Sequence, residues 1–415
     1  MRWAHPDFTL RLQPLGGGLD DAYWETLWHL DNTGRYPGSV ADADIDGPEA
    51  WVDSRGEGMI VAVMDTGVDP DHEDLHVIPG YDYVDGDDDP RPEPSTGSYE
   101  HGTAMAGIAA ARGNNGLGVA GVAWEASVLS IRLVGGDLTT AALRNAFIFA
   151  ADEGAQVLSN SWSFSGSSCP EVPLYAALQE GIDHAVAEGR DGLGSVVVFG
   201  SGNGGCDVSL DGLASYEPVV LVGASSDRDE VFGYSNYGRA LDLVGPSGPA
   251  PDGEGEYVRS TDIMGPDGYS SSMGTEDYSD TLWGTSASTP MVAGALALMF
   301  AANPALTGAE ARTILCESAD RVQPDSAGYD ADGWSERYGC GRLNAAQAVQ
   351  LAVERAAADE VGDDDDSAAS DEGPAEDSGG LSGCGCTTEG AVTFRARGTV
   401  VPLVLLVSVI RRRRG

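Results

Sequence analysis

Positive charge is scarce in this 415-residue chain, where 23 Lys and Arg stand against 66 Asp and Glu for a formal net charge of -43. That balance repels phosphate backbones and makes nucleic acid an unsuitable partner. It is read as a solvated acidic surface plus an acidic linker, with attraction of cationic peptides as the sharper alternative. Cysteine is also sparse: the six fall as Cys169 and Cys206, Cys316 and Cys340, then Cys384 and Cys386, with no zinc-like spacing. They are compatible with two disulfides and a terminal pair. The opening MRWAHPDFTLRLQP lacks both an apolar run of about seven residues and a small-residue cleavage site, so no signal peptide is visible. Near the other end TVVPLVLLVSVI falls short of the roughly 20 residues that a bilayer-spanning helix needs.

The chain is long enough for one large α/β domain or two smaller ones. Strand candidates alternate with helix candidates: MIVAVMD, SVLSIRLV, helix 139–152, QVLSNSW, helix 172–189, SVVVFGSGN and PVVLVGAS. This alternation predicts a parallel sheet covered by helices on both faces. Ser286 to Ala302 reads as a central buried helix that Ser286 opens, with Pro290 in about its first turn, where a missing amide costs little. Thr307 and Glu310 form a capping box, and 344–358 closes the globular part. The stretch DEVGDDDDSAASDEGPAEDSGG that follows is acidic, lacks aromatics and reads as a disordered spacer.

Hydrolysis by a serine needs a base for the hydroxyl proton, an acid to orient that base and donors aimed at the oxyanion. One candidate stands for each. Asp65 ends a buried strand at the carboxyl edge of the sheet, where open α/β folds place their sites. His101 in EHGTAMAGIAA belongs to the first turn of a helix of small residues. Ser286 in WGTSASTPMVAGA follows a tight turn, its amide free for an oxyanion, and Asn203 in FGSGNGG offers a side-chain amide on a glycine loop. Taken singly these are a strand end, a structural histidine, an N-cap and a turn. A lipase or esterase would need a GxSxG elbow and the order Ser, acid, His, which is absent.

In the order Asp, His, Asn, Ser, and with WHLDNTG, MDTGVDPDHEDL, HGTAMAGIAAA, NNGLGVAGVA, SGNGG, YSNYGRALDLVGPSG, GTSASTPMVAGA and YGCGRLNAAQAV all in family order, the chain resembles the subtilase family of serine peptidases over about residues 26–350. The resemblance implies a subtilisin-like three-layer α/β fold with a mostly parallel sheet. It implies Ser286 as nucleophile, His101 as general base and then acid, Asp65 fixing the imidazole tautomer and Asn203 holding the oxyanion. It also places Ser161, Trp162, Ser163 and Gly202 beside the substrate, Ser163 standing where a glycine is usual. NNGLGVAG and SGNGG resemble the kexin-like branch, which cuts after basic residues. Here only Asp207 or Asp211 is available to receive such a side chain. A structural Ca²⁺ site follows from the same comparison, with Asp74, the side chain of Asn115 and the carbonyls of Arg112, Leu117 and Val119 as an all-oxygen set, against an ordinary Asn-Gly turn as the plain alternative. The acidic run 85–93 is expected to be a solvated loop. A disulfide between Cys169 and Cys206 would brace the pocket, and one between Cys316 and Cys340 would pin the last helices.

Residues 1–20 read as the remnant of a propeptide, so the true start is expected upstream. Residues 21–358 are the peptidase domain, 359–383 the linker and 384–415 a tail of Cys-Gly-Cys, apolar run and arginine cluster that resembles a surface sorting signal of myxobacterial-type bacteria. The expected enzyme is a monomer outside the cell or on its outer surface, acting on polypeptides, with its own propeptide as a folding partner and anchorage through the tail. The alternative of another class is a surface binding module that keeps the fold without activity.

Overall fold

Alternate residues of each strand bury on opposite sides of one sheet. In β1 (Ile60–Asp65), Val61 and Val63 join one core while Ala62 and Met64 join another. In β5 (Val196–Gly200), Val196 and Val198 belong to the first and Val197 and Phe199 to the second. Burial on both faces is why these strands read as unbroken apolar runs. The computed structural model describes residues 19–94, 98–164, 169, 173–251, 253–269 and 277–363, the last six by backbone only. Residues 1–18 and the expected sorting tail with Cys384 and Cys386 lie outside the described residues.

The other strands of the sheet are β2 (Val77–Asp82), β3 (Ser127–Arg132), β4 (Val157–Asn160), β6 (Val219–Ser225) and β7 (Leu243–Pro246). All seven are parallel, in the order β2-β3-β1-β4-β5-β6-β7. A short turn, α1 (Gly47–Ala50), precedes the sheet. Helix α2 (His101–Ala110) packs on one face with α5 (Thr285–Ala302) and α7 (Ala345–Asp363), and α3 (Thr140–Asp152) and α4 (Ala176–Glu188) pack on the other. The sheet thus forms the middle of three layers. A hairpin of β8 (Val258–Thr261) and β9 (Tyr278–Leu282) lies over α2, with the hydroxyls of Ser260 and Thr261 donating to the carbonyls of Ala104 and Thr103.

The expected helix and strand segments are present, with α4 beginning at Ala176, and the capping box opens α6 (Gly308–Ser318) as read, with both of its hydrogen bonds made. Two details of the helix that carries Ser286 differ. α5 starts at Thr285, with Gly284 as its cap, so Ser286 is the second residue and makes no capping bond. Pro290 is the sixth residue, one position deeper than with Ser286 opening the helix and so in the second turn, where its missing amide leaves the carbonyl of Ser286 without its helical donor. By length and composition α5 is apolar enough to cross a membrane, yet it is 83% buried inside the domain.

The domain takes in Leu19 and Asp20 as well: Leu19 packs on the core, and Asp20 accepts the amide of Gly116. The acidic loop 85–93 is only partly solvated. Asp87 to Asp89 are exposed, but Asp85 joins Asp82 on the buried guanidinium of Arg132, and Arg91 pairs with Asp71 and Asp89. Both disulfides form as Cys169–Cys206 and Cys316–Cys340.

Candidate active site

Three parallel strands deliver the site to one edge. Asp65 is the last residue of β1, Ser161 follows β4, and Asn203 follows β5. Carboxyl ends at a reversal of strand order are where such sheets leave a crevice. α2 then sets His101 in its first turn, with Nδ1 2.8 Å from Oδ1 and 3.0 Å from Oδ2 of Asp65. The Asp65 side chain is 2% exposed and the imidazole 22%. Asp65 is held in turn by the amide of Thr66 at 2.7 Å, and the Thr66 hydroxyl receives the amide of Gly102 in α2. A Cβ on Gly102 would collide with the Gly67 carbonyl, so the helix approaches Asp65 this closely only with glycine there. Burial opposes charge on His101, but the adjacent carboxylate and its hydrogen bond outweigh it, and the imidazole pKa is raised above the ordinary 6.5.

Asn203 is oriented by the helix it faces. Its Oδ1 accepts the amide of Thr285 at 2.9 Å and the Thr285 hydroxyl at 3.2 Å, which leaves Nδ2 as the free end of the amide. Gly284, at φ +87°, allows this, since a Cβ there would sit 2.8 Å from Nδ2. The glycine loop itself is pinned by Asn236, whose Oδ1 accepts from Gly204 and Cys206 and whose Nδ2 donates to Ser201. Ser286, His101 and Asn203 line one cavity together. The hydroxyl of Ser286 donates to the carbonyl of Ser161 at 3.2 Å, and the Ser161 hydroxyl donates back to the Ser286 carbonyl at 3.0 Å. The first turn of α5 offers amides without helical partners to any oxyanion at Ser286.

Beside these groups opens a pocket of about 330 Å³, lined by Ser161, Trp162, Ser163 and Gly202 together with Asn203 and Ser286. Its apolar walls include Phe164, Phe199 and Leu213, with Trp162 edge-on to Phe164 and Phe199 at 5.8 and 5.1 Å. Of the two acids considered, Asp211 lines this pocket and accepts the amides of Leu213 and Ala214, whereas Asp207 is turned to Ser209. The Cys169–Cys206 disulfide links the segment beyond Phe164 to the loop beyond Asn203.

The model of the subtilase family matches residues 56–341. The chain belongs to the subtilase family. A calcium-dependent protease of Nostoc sp. is 35% identical to this subtilase over 345 residues, 79% of the chain and 51% of that protein. Kexin of Saccharomyces cerevisiae is 32% identical over 347 residues, 80% of the chain and 40% of kexin. The chain thus spans about half the length of such relatives. Among solved structures, the Aeromonas sobria serine protease in complex with its chaperone superposes with a TM-score of 0.72 at 23% identity, covering 82% of the chain and 68% of that protein. The likeness shows the fold.

The calcium candidates of this subtilase also come together. Asp74 is fully buried, its Oδ1 accepting from Asn115 Nδ2 at 2.7 Å and its Oδ2 from the amide of Val119 at 2.9 Å, while its carbonyl accepts the amide of Arg112. The Leu117 carbonyl accepts the amide of Ala22. Asp21 was missed from sequence because it lies far upstream in no recognisable pattern. It is buried, accepts the amides of Asn114 and Asn115, and acts electrostatically on Asp74. Burial raises the pKa of both carboxyls. Among the described residues no group of three or more His, Cys, Asp or Glu is poised for a metal, so any cation here relies on amide and carbonyl oxygens as well. Both carboxylates are met by N–H groups here, and the oxygens that would complete a Ca²⁺ shell are the carboxylates themselves, the Asn115 side chain once turned, and nearby carbonyls.

Proposed function

We propose that this chain is a serine endopeptidase in which Ser286 attacks the peptide carbonyl, His101 takes and later returns the proton, Asp65 keeps His101 in the Nδ1–H tautomer, and Asn203 Nδ2 with the Ser286 amide stabilises the oxyanion. The observation that carries the reading is the freedom of the two acting groups. Asn203 has its oxygen tied to Thr285 and its nitrogen unspent, and Ser286 does not cap its own helix. For attack the Ser286 hydroxyl leaves the Ser161 carbonyl and turns to His101 Nε2. Its present donation to Ser161 is the one feature that favours a catalytically silent binding module instead.

The pocket at Trp162 takes the side chain on the acyl side of the cleaved bond. Its aromatic walls suit the aliphatic stem of a long side chain, and Asp211 suits a cationic head, so the preferred residue there is Arg or Lys. Likeness to kexin supports this reading. A structural Ca²⁺ would be held by Asp74, Asp21, Asn115 turned to present its oxygen, and the carbonyls of Arg112, Leu117 and Val119; it would lock the N-terminal segment to the loop at 112–119. Likeness to a calcium-dependent protease supports that reading. The disulfides and the kinds of protein it resembles support an enzyme outside the cell or on its surface, and the proposal extends to a monomer anchored through its tail and folded with a propeptide.

The test is an assay of casein and of blocked chromogenic peptides, beside Ser286→Ala and Asp211→Asn. Activity lost in Ser286→Ala and a preference for Arg lost in Asp211→Asn support both parts. A folded wild type that is inactive on every substrate, with or without added propeptide, supports the binding module.

A further inference from the structure

The segment YSNYGRALDLVGPSG runs from Tyr234 to Gly248, and both of its ends meet at Gly284, the cap of α5. The Tyr234 hydroxyl accepts the amide of Gly284 at 3.2 Å and donates to the carbonyl of Gly248 at 2.7 Å. The Ser247 hydroxyl lies 3.1 Å from that of Tyr234 and donates to the Gly284 carbonyl at 2.8 Å. Gly284 stands at φ +87°, where a glycine has more backbone freedom than any other residue. One hydroxyl therefore holds the peptide group before this joint and the other holds the peptide group after it. The Tyr234 ring is fixed in turn, stacked on Phe232 at 5.1 Å and edge-on to Trp283 at 5.3 Å. Burial raises the pKa of its phenol, so the proton given to Gly248 stays in place and the oxygen remains an acceptor for Gly284.

We propose that Tyr234, together with Ser247, is a positioning residue for the oxyanion donor, fixing Gly284 and through it the aim of Asn203 Nδ2. The proposal rests on the peptidase reading above. The peptide group between Gly284 and Thr285 has its carbonyl held by Ser247 and its N–H given to Asn203 Oδ1 at 2.9 Å. Rotation of that group moves the anchor of Oδ1, and Nδ2, at the other end of the same planar amide, swings with it. The Gly284 backbone is also packed directly against the donor, since a Cβ there would sit 2.8 Å from Nδ2. A donor displaced by a fraction of an ångström weakens most where charge develops, in the transition state, and least in the bound ground state. The hydroxyl of Tyr234 touches neither substrate nor Ser286 in this arrangement and acts only through Gly284.

The experiment uses the full chain, one blocked chromogenic peptide and the matching peptide aldehyde, which adds to the Ser286 hydroxyl as a tetrahedral hemiacetal. Tyr234→Phe keeps the ring between Phe232 and Trp283 and removes only the oxygen. It is expected to lower kcat about tenfold with KM within about twofold, and to weaken capture of the aldehyde about tenfold. In the Asn203→Ala background, where no donor is left to aim, the same change alters kcat by less than about twofold. The acid limb of kcat/KM stays where it is, because His101 is untouched. Ser247→Ala repeats the pattern and carries the test if Tyr234→Phe does not fold. An unchanged kcat, a loss carried by KM, or a tenfold loss that persists without Asn203 overturns the proposal while leaving the peptidase reading in place. A folded wild type that neither cleaves the peptide nor captures the aldehyde overturns both.

Discussion

Ser161 and Ser286 hold each other by two hydrogen bonds, each hydroxyl donating to the other's carbonyl, at 3.0 and 3.2 Å. Pro290 accounts for the first, because it has no amide for the carbonyl four residues earlier and the Ser161 hydroxyl supplies the missing donor. Ser161→Ala is expected to lower the unfolding free energy by about 1–2 kcal/mol, the usual penalty of a carbonyl left without a partner. A urea titration measures it. An unchanged midpoint would show that water takes the hydroxyl's place.

Asn203→Ala is expected to lower kcat by a factor on the order of 10²–10³ with a smaller change in KM, because the donor acts on charge that appears only in the transition state. Steady-state kinetics on one chromogenic peptide separate the two constants. A loss confined to KM would assign Asn203 to substrate binding.

His101 acts as a base only when neutral, and its pKa is raised by Asp65 against the opposing effect of burial. Activity is therefore expected to fall with decreasing pH along a limb centred above 6.5. Asp65→Asn removes the charge, so it moves that limb to lower pH while cutting kcat by a factor on the order of 10⁴. The pH profile of kcat/KM, taken for both proteins, decides this.

His29 is fully buried with neither ring nitrogen hydrogen-bonded, and burial pushes its pKa down to about 3. The unfolded chain takes up the proton near 6.5, so the stability that the neutral ring preserves is complete above that pH and drains away as pH falls toward 3. At pH 5 the loss is about 2 kcal/mol. Asp44 and Asp46 work in the opposite sense, since burial raises them to about 6 and about 7 and the folded state gains as they take up protons. Comparing wild type with His29→Leu in urea at pH 7 and pH 5 isolates the histidine: the mutant loses less on acidification.

Chelation is expected to lower the melting temperature by about 5 °C if the ion is present at a hundredfold its dissociation constant, and added Ca²⁺ restores it. Asp74→Asn and Asp21→Asn each remove the response. Calorimetry with and without chelator gives the answer without any assay of activity.

The three layers could be read in the chain because strands buried on both faces leave unbroken apolar runs, and Val196 to Phe199 shows the pattern. Asp65, His101, Asn203 and Ser286 could be read because each sits in a short run of small residues that a close approach demands. What escaped was set by distance along the chain. Asp21 meets Asp74 only after the N-terminal segment has crossed to the loop at 112–119. Asn236 organises the glycine loop from the connection between β6 and β7, and Phe164, Phe199 and Tyr269 look like ordinary aromatics until the cavities close around them. Pro290 lies one position deeper than the sequence suggests because the helix begins before the serine, a boundary decided by Gly284 and Asn203 together.

The sheet that carries the site is parallel throughout, and its central pair, β1 and β4, joins segments almost a hundred residues apart. Contacts of that separation form late, after a long loop has been closed. Ser286, the proposed nucleophile, enters still later in the chain, on α5. On the peptidase reading, a half-folded molecule would hold four disconnected residues and no cutting edge, so nascent copies would have no means of digesting one another until each had finished folding.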